Sequence, residues 1–591
     1  MNTYSETTKK SALPSLTDWQ SVKWRKAEKY VEKLQQRIFH AEKKNDKRKV
    51  RDLQRMLMKS KSALVTSIRR VTQINKGKRT AGVDGYKALS PTERVNLYNK
   101  MVNKSITKHR PKPAYRTYIT KKNGKLRPLG IPTIIDRVYQ NVAKYALEPQ
   151  WEARFEPTSY GFRPKRGCHD AIGRIYQTLK GNSKRGWIFE GDFKACFDTL
   201  NHNFIMQQIK GFPQTDVIAK WLKAGFVDKN AFNETKEGTP QGGIISPLLA
   251  NIALHGMEKA LNIKYDGRNN NKSTYALCRY ADDFVIMCPT KNDAENVYPL
   301  LSKYLLERGL TLAEEKTKIT HVEEGFDFLG FNIRRYNVTI HKKGQQPTEG
   351  KKLLIKPSKQ SIKTLKSKIK EEYDKAKGAN ATALIGRLNP ITTGTANYWK
   401  TSVAKKTFSN IDNYTWQKTK RWINRSHPTK RWNWKKDRYF KRDRTGQSKD
   451  KWILTDPTTK SQLKRMAWTA IQRHTIITHD NSPFDTTLAE YYCQRDIKEF
   501  ESNNVLSRQK LAKKQKYACT ICRRSIADFK EGLETHHITS KHHGGSDKYE
   551  NLNLVHISCH IEYHKVFPAK AEIPSKAKAT AWLKWYRKSK G

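Results

Sequence analysis

The chain has 591 residues, enough for several domains, and its 116 lysines and arginines outnumber 55 acidic residues to give a net charge of +61. The positive charge runs from the N-terminus to Lys590, which favours a long polyphosphate over a membrane surface or an acidic protein as the partner. No run of about 18 apolar residues occurs, residues 1–15 lack an apolar signal core, and the cysteines are scattered, which excludes a disulfide scaffold. We therefore expect a cytoplasmic protein without membrane spans.

Composition predicts an α+β multidomain chain with five regions. Apolar residues at helical spacing from Trp24 to Ile68 indicate a basic helical N-terminal extension. Mixed α and β patterns follow to about residue 345, and residues 351–440 then hold 23 Lys/Arg against 5 acidic residues, a net +18, with tryptophans interleaved. The predicted regions are 1–75 (basic helices), 76–345 (mixed α/β), 346–445 (basic, aromatic helices), 446–510 (linker) and 511–591 (a Cys/His cluster).

The first chemical motif in chain order is residues 118–130, YITKKNGKLRPLG. Apolar runs on either side of Asn123-Gly124 predict a β-hairpin. Lys125 and Arg127 on its second half are suited to face the oxygens of a triphosphate. A second block, residues 159–164 (SYGFRP), comes next.

Two acidic sites follow on predicted strands. Asp192 ends the apolar run that starts at Ile188, and Asp282 and Asp283 lie in the turn of a predicted hairpin, YADDF, at 280–284. An Asp-Asp turn alone is more often only a turn. Nucleotidyl transfer, however, uses two Mg²⁺ ions held by a few carboxylates on neighbouring strands. We therefore predict that Asp192, Asp282 and Asp283 bind a pair of Mg²⁺ ions.

Residues 238–247, GTPQGGIISP, lie between these acidic sites. Gly242 and Gly243 allow the backbone beside Gln241 to approach a template or nucleotide closely, and Ser246-Pro247 is a good helix start. Two further blocks follow, residues 309–317 and 328–331 (FLGF).

In order and spacing, these blocks resemble those of reverse transcriptases of the group II intron-encoded type, over about residues 60–345. The resemblance implies a right-hand polymerase with fingers and a palm built on an antiparallel sheet. It implies that Lys316 acts near the pyrophosphate leaving group, as a proton donor; a solvated lysine is the alternative. It also places the ring of Phe197 under the incoming sugar, where a 2′-hydroxyl would clash, so that dNTPs are favoured; plain core packing is the alternative.

The basic region is similar to the thumb and maturase domain (domain X) of group II intron proteins, which bind their own intron RNA. The resemblance rests on residues 386–399, 421–428 and 432–440. Basic helices with aromatic residues suit RNA, because lysine and arginine meet phosphates while rings stack or pack. The tryptophans can equally be core residues. His474 and residues 482–485 fit the family's DNA-binding stretch weakly.

The C-terminal cluster combines two chemistries. Cys519, Cys522, His556 and Cys559 have the paired spacing of a structural Zn²⁺ site. Such a metal would stabilise a segment too short for a large core.

The remaining histidines predict a nuclease. His560 and His564 are at i and i+4, on one face of a helix, and with His536 they can converge on a catalytic divalent ion. His537 would be the general base and Asn551 would orient its loop. The set resembles the HNH (ββα-metal) nuclease motif over residues 515–566, which implies nicking of one DNA strand; a zinc-binding module is the alternative. Related intron proteins often carry a second Cys-x-x-Cys, where this chain has His556 and Cys559.

These observations predict a multifunctional group II intron-encoded protein: an RNA-directed DNA polymerase, a maturase for splicing and an HNH endonuclease for intron mobility. Its partners would be intron RNA, target DNA and dNTPs, in bacterial cytosol and nucleoid or an organelle matrix; the sequence does not indicate an oligomeric state. The alternatives are a reverse transcriptase of another lineage (retron or diversity-generating), a splicing-only maturase and an RNA-dependent RNA polymerase. The sequence of domain X and the HNH motif argue against another lineage, the intact carboxylates argue against a splicing-only maturase, and Phe197 argues against an RNA-dependent RNA polymerase.

Overall fold

Helices supply the larger share of the regular structure, and they form where apolar residues recur every three or four positions. The computed structural model describes residues 16–120, 124, 126–340, 348–528, 531–568 and 575–590. The helices are α1 (Trp24–Lys43), α2 (Lys47–Lys59), α3 (Lys61–Arg69), α4 (Pro91–Val102), α5 (Ile134–Glu152), α6 (Cys168–Leu179), α7 (Cys196–Thr199), α8 (His202–Gln208), α9 (Thr215–Leu222), α10 (Ser246–Ala253), α11 (Met257–Ala260), α12 (Lys291–Glu295), α13 (Val297–Glu307), α14 (Lys359–Lys375), α15 (Ala381–Trp399), α16 (Lys405–Ser426), α17 (Trp432–Tyr439), α18 (Ala489–Asn503), α19 (Leu506–Lys514), α20 (Ile557–Val566) and α21 (Lys576–Lys590).

The strands of the described residues form five separate small sheets rather than one continuous sheet. A four-stranded sheet of order β2-β1-β4-β5 precedes a second four-stranded sheet, β6-β7-β3-β8, which we call the central sheet. The strands are β1 (Ala114–Thr120), β2 (Leu126–Ile131), β3 (Trp187–Asp192), β4 (Phe226–Asp228), β5 (Ala231–Asn233), β6 (Ala276–Tyr280), β7 (Asp283–Cys288), β8 (Lys318–His321), β9 (Phe326–Phe328), β10 (Phe331–Ile340), β11 (Thr348–Pro357), β12 (Phe440–Lys441), β13 (Ile453–Leu454), β14 (Leu533–His537) and β15 (Leu552–His556).

The central sheet is antiparallel and is covered on both faces. Successive residues of β3 enter different cores, since Ile188 packs with the second hydrophobic cluster and Phe189 with the first. Gly191 lies opposite Phe284 in the β3–β7 register, and a Cβ at Gly191 would lie 2.1 Å from the Phe284 ring. Only glycine therefore allows that ring to pack beneath the end of β3.

The N-terminal helices pack on the rest of the first core rather than standing apart. Their buried residues include Leu34, Ile38 and Leu57, and the side chain of Gln54 donates to the carbonyl oxygen of Ala146 in α5 (3.2 Å). Helices α1, α2 and α3 thus form one layer against α5.

The second core joins the back of the central sheet to helices α14, α15 and α16. Tyr373 bonds Thr419 across α14 and α16 (2.6 Å), and the indole of Trp422 donates to Ala376 (2.9 Å). This core continues through Leu454 and Met466, beyond the boundary predicted at residue 445.

The last region has its own core around β14, β15, α20 and α21. Four charged residues join it to the N-terminal helices: Glu28 pairs with Arg69 (2.9 Å) and Arg524 (3.1 Å), and Glu531 lies 3.8 Å from both arginines. Across the described residues, no helix combines the length and apolarity that a membrane span requires.

Candidate active sites

The strand register brings the first acidic site beside the second. Asp192, the last residue of β3, is the Cα partner of Asp283, the first residue of β7. Paired residues of antiparallel strands lie about 4.5–5.5 Å apart at Cα, so Asp192, Asp282 and Asp283 share one end of the central sheet. The turn between β6 and β7 contains Ala281 in the left-handed region, with φ +59°.

Lys316 joins this group through a segment that runs beside β3. The amide of Ala313 donates to the Asp192 carbonyl (2.8 Å), and the Lys194 amide donates to Thr311 (2.9 Å). The Lys316 ammonium then reaches Asp192 Oδ2 at 2.5 Å. The predicted lysine is therefore at the acidic site, as a half-exposed ion-pair partner.

Burial and mutual repulsion change the acidity of the two neighbouring carboxyls. Burial raises the pKa of Asp282, and the charge of Asp192 raises it further, whereas Arg127 and Lys316 oppose the shift. Desolvation by surrounding atoms, followed by the charges of Asp282 and Asp192, raises the pKa of Asp283 to about 6, although the residue itself stays exposed. Close carboxylates that resist ionising together are suited to binding a cation.

The predicted nucleotide-side residues lie between the first sheet and the Gly-rich block. β1 and β2 pair as the predicted antiparallel hairpin, and Arg127 Nε donates to Gln241 Oε1 (2.9 Å). Gly242 has φ +134°, and a Cβ there would lie 2.5 Å from the carbonyl oxygen of Gly130. The glycine is thus required for this contact. Lys125, the other predicted triphosphate ligand, lies outside the described residues.

Phe197 is nearly buried, 7% exposed, in the short helix α7. Its ring meets the exposed ring of Phe162 edge-on, with 6.3 Å between centroids. Phe197 also lines a cavity of about 410 Å³ together with Gly130 and Pro240. The ring therefore borders an open space next to the hairpin and the Gly-rich block.

The three nuclease histidines converge. The candidate ligand atoms of His536, His560 and His564 lie within 4.8 Å of one another. Glu534 accepts from His560 Nδ1 (2.6 Å) and the Phe567 carbonyl accepts from His564 Nδ1 (3.0 Å), which leaves both Nε2 atoms as ligands, 3.0 Å apart.

His536 completes that set. Its Nδ1 is buried without a hydrogen-bond partner in the described part of the chain. Burial and the neighbouring His560 and His564 lower the pKa of His536 to about 4, so the ring is neutral at neutral pH, the form a metal requires.

His537 and Asn551 are both hydrogen-bonded within the same loop. His537 Nε2 donates to Asp547 Oδ1 (2.8 Å), which leaves Nδ1 able to accept a proton. The Asn551 side chain bonds the amide and carbonyl of Thr539 (2.7 and 3.0 Å) and the carbonyl of Ser546 (2.9 Å). Asn551 thereby fixes the loop that follows His537.

The predicted zinc ligands form a second compact group, with candidate ligand atoms of Cys519, Cys522, His556 and Cys559 within 4.8 Å. His556 Nε2 donates to the Ser525 carbonyl (3.0 Å), and its Nδ1 lies 3.3 Å from Cys522 Sγ. The contact with Ser525 directs Nδ1 at the thiols, where Cys519 and Cys522 raise the pKa of His556 to about 10 against the effect of burial, and hydrogen bonds from Cys519 and Cys559 lower the pKa of the Cys522 thiol. In the described residues the three polymerase carboxylates do not form a group this tight.

Three residues that support the two sites are not identified from the sequence. Glu534 and Asp547 each orient a nuclease histidine, and Arg279 lies buried behind the YADD turn. Glu534, two residues before His536, could have been found from strand alternation, whereas Asp547 lies in a loop without a pattern.

The weakly predicted DNA-binding stretch packs against the central-sheet region. His474 bonds Asp170 in α6 (2.9 Å), and both Ser482 and Phe484 are buried. Among the tryptophans, Trp399 and Trp422 are core residues, whereas Trp434 is 37% exposed.

Family models match four successive stretches of the chain. From the N-terminus they are the N-terminal domain of reverse transcriptase at residues 19–101, the reverse transcriptase (RNA-dependent DNA polymerase) at 119–333, the group II intron maturase-specific domain at 362–440 and the HNH endonuclease at 519–565.

Curated relatives agree with these matches. Protein YkfC of Escherichia coli K12 is 37% identical over 301 residues, 45% of this chain and 79% of YkfC. The group II intron-encoded protein LtrA of Lactococcus lactis subsp. cremoris is 33% identical over 323 residues, 44% of this chain and 53% of LtrA, so the match spans about half of LtrA. The chain belongs to the group II intron-encoded proteins.

This intron-encoded protein combines reverse transcriptase, maturase-specific and HNH domains, which confirms the predicted family and the predicted pair of enzyme classes. The maturase-specific and HNH matches favour the intron-encoded lineage over the retron and diversity-generating alternatives. Among solved structures, Candida albicans telomerase aligns with a TM-score of 0.32 and 15% identity, covering 56% of this intron-encoded protein and 61% of the telomerase chain.

Proposed function

We propose that this protein binds its intron RNA for splicing, nicks one strand of a DNA target and copies the RNA from the exposed 3′ end. The observation that carries the proposal is the meeting of Asp192, Asp283 and Lys316 at one end of the central sheet. In this proposal the central sheet is the palm, the β1–β2 sheet belongs to the fingers, α14–α16 form the thumb and domain X, and β14, β15 and α20 are a ββα-metal nuclease.

Asp192, Asp282 and Asp283 would hold two Mg²⁺ ions. Their fit is supported by the raised pKa values of Asp282 and Asp283, which reflect burial first and repulsion between the carboxylates second, and a bound cation would offset both. When bound, such ions supply Lewis-acid activation of the primer 3′-oxygen and neutralise the triphosphate. Lys316, held at Asp192, would donate a proton to the leaving pyrophosphate.

Arg127, with Lys125, would contact the triphosphate from the fingers. Gln241 orients Arg127, and Gly242 keeps the backbone of the Gly-rich block close to the hairpin. Phe197 would exclude ribonucleotides, because a sugar bound in the cavity that the ring borders would bring its 2′-hydroxyl against a phenyl group that offers no hydrogen bond.

Domain X would bind RNA through its exposed basic residues. The exposed ring of Trp434 lies near Lys430 (5.6 Å) and Arg438 (5.2 Å), a combination that can stack on a base beside a phosphate. Trp399 and Trp422, by contrast, serve the core.

In the nuclease, His536, His560 and His564 would hold one divalent ion, which supplies Lewis-acid polarisation of the scissile phosphate. His537, oriented by Asp547, accepts the proton of the attacking water at Nδ1. Cys519, Cys522, His556 and Cys559 would hold a structural Zn²⁺, with His556 in place of a fourth cysteine.

The substrates that follow are dNTPs, intron RNA and a DNA target, in the compartment that contains the intron, bacterial cytosol and nucleoid or an organelle matrix. Primer extension on RNA with dNTPs or with NTPs tests the polymerase, and activity with NTPs alone would instead support an RNA-dependent RNA polymerase.

A second assay separates polymerase from maturase. Asp282→Ala should abolish extension while splicing of the cognate intron continues, because the carboxylate lies on the palm rather than in domain X. A parent protein that promotes splicing yet never extends a primer would support a splicing-only maturase.

A further inference from the structure

Arg279 combines a charge with complete burial. It lies in β6, three residues before Asp282, and is the largest side chain among the fully buried ones, at 0% exposed. Burying a guanidinium costs free energy unless its charge is paired and its N–H groups are hydrogen-bonded.

That requirement is only partly met. Arg279 Nη1 donates to the Ala281 carbonyl (3.2 Å) and to Asn251 Oδ1 (3.3 Å). Its Nε and Nη2 have no hydrogen-bond partner among the described residues. The buried Glu156 interacts electrostatically with Arg279, which opposes the rise of its pKa to about 7 caused by burial, so this carboxyl is only partly ionised at neutral pH. A half-satisfied buried cation is a poor source of stability.

The bonds that Arg279 does make lie at the acidic turn. Ala281 has a φ of +59°, a conformation that non-glycine residues rarely adopt. Its carbonyl belongs to the peptide that leads into Asp282. Because Arg279 holds that carbonyl, it fixes the plane of the peptide and hence the direction in which the Asp282 carboxylate leaves the backbone.

The same turn is held from a second side. Asn251, the other acceptor of Arg279, donates from Nδ2 to the Gly161 carbonyl (2.8 Å). A Cβ at Gly161 would lie 2.3 Å from the Ala281 amide nitrogen, so the chain at Gly161 directly touches the turn. Arg279 and Asn251 thereby connect the turn to α10 and to the 159–164 block.

We propose that Arg279 is a positioning residue for the polymerase metal site: its buried guanidinium fixes the Ala281 carbonyl and so keeps Asp282 and Asp283 directed towards the bound ions. This inference rests on the proposed two-metal role of Asp192, Asp282 and Asp283. Arg279 touches neither substrate nor metal and acts through the backbone.

Arg279→Met, compared with the control Arg69→Met, tests the proposal in the full-length protein. Arg69 in α3 is also buried but is paired with Glu28 (2.9 Å) and lies 3.8 Å from Glu531. For Arg279→Met we expect a Tm near that of the parent, because the guanidinium that is removed is only half hydrogen-bonded and the buried carboxyl of Glu156, whose pKa burial already raises to about 7, can take up a proton. Its half-maximal Mg²⁺ concentration should rise, and its maximal extension rate fall, by about tenfold or more.

Arg69→Met should lower the Tm without changing the metal requirement. It leaves Glu28 and Glu531 without this partner, so the Tm should fall, while the Mg²⁺ requirement of the folded fraction stays within about twofold of the parent. Arg279→Lys retains a cation that can donate to the Ala281 carbonyl and should recover part of the Mg²⁺ response.

Calorimetric titration with Mn²⁺ alone gives an independent measurement, in a His560→Ala background that removes a nuclease ligand. Arg279→Met should weaken binding at the palm by about tenfold. If Arg279→Met keeps the parent's rate and Mg²⁺ requirement, this inference is wrong and the proposed polymerase function still stands. The same holds if the variant loses Tm and rate together while its Mg²⁺ requirement is unchanged. A parent protein inert on primed RNA would overturn the proposed polymerase function and this inference with it.

Discussion

The magnesium requirement of primer extension should increase steeply as the pH falls below about 6, because protons and metal ions compete for the same carboxylates. The pKa of Asp283 is raised to about 6 and that of Asp282 is also raised. A raised carboxyl pKa means that the protonated form, which binds no cation, persists to higher pH. Metal affinity should therefore rise with pH and become constant above about 7.

The size of the change in metal affinity follows from the pKa of Asp283. With a pKa of about 6, roughly half of the carboxyl groups are ionised at pH 6 and about 9% at pH 5. The apparent metal affinity should then fall about tenfold between pH 7 and pH 5, and more if Asp282 contributes. A carboxyl with an ordinary pKa of about 4 would change the affinity over that range by only about 1.1-fold.

The quantity to measure is the Mg²⁺ concentration that gives half-maximal dNTP incorporation on primed RNA, at several pH values from 5 to 8 and constant ionic strength. This concentration reports the competition at the carboxylates, whereas the rate also depends on ionisation of the primer 3′-hydroxyl.

Lys316→Met supplies a directional control. The Lys316 ammonium opposes the raised pKa values of Asp282 and Asp283, so its removal should move the midpoint of the pH profile upwards. The move should be less than about one pH unit, because solvent screens an ammonium whose side chain is 56% exposed. A Mg²⁺ requirement that is flat from pH 5 to 8, or a midpoint that moves downwards in the variant, would refute the reasoning.

Other predictions concern the remaining sites. Phe197→Ala should raise the rNTP/dNTP ratio of kcat/KM by about 10- to 100-fold; an unchanged ratio would assign the ring to the core alone. His537→Ala should slow nicking of supercoiled target DNA by about 10²- to 10⁴-fold, whereas the exposed His542→Ala in the same loop should nick normally; equal rates would remove His537 as the base. Cys559→Ser should lower the zinc content and make the C-terminal module sensitive to protease while primer extension continues; full zinc retention would contradict the ligand assignment.

The acidic site could be predicted because its signals are local. Asp192 ends an apolar run, and Asp282 and Asp283 lie between two apolar runs, so both positions on strands could be inferred without the fold. Their proximity depends on the β3–β7 pairing, which no local pattern encodes; family resemblance supplied it. Lys316 was likewise located by resemblance, and its ion pair with Asp192 appears only in the structure.

The burial of charged side chains could not be predicted from the sequence. Arg279 precedes the YADD turn in a chain rich in exposed arginine, and charged side chains are almost never fully buried unless they are paired. Arg163 is similar, because Glu152, its partner, lies in another element. For Trp422 the sequence is compatible with core packing and with RNA stacking, since helical spacing is the same for both. The contact of its indole with the end of helix α14 shows that it is a core residue.

The four charged residues that join the C-terminal module to the N-terminal helices bear on how the protein can be shortened. A polymerase-only variant ending near residue 510 would remove Arg524 and Glu531, leaving Glu28 with Arg69 alone and uncovering the neighbouring indole of Trp24. Engineers who trim the nuclease from this chain should therefore redesign that newly exposed face, replacing Trp24 with a polar residue to limit self-association.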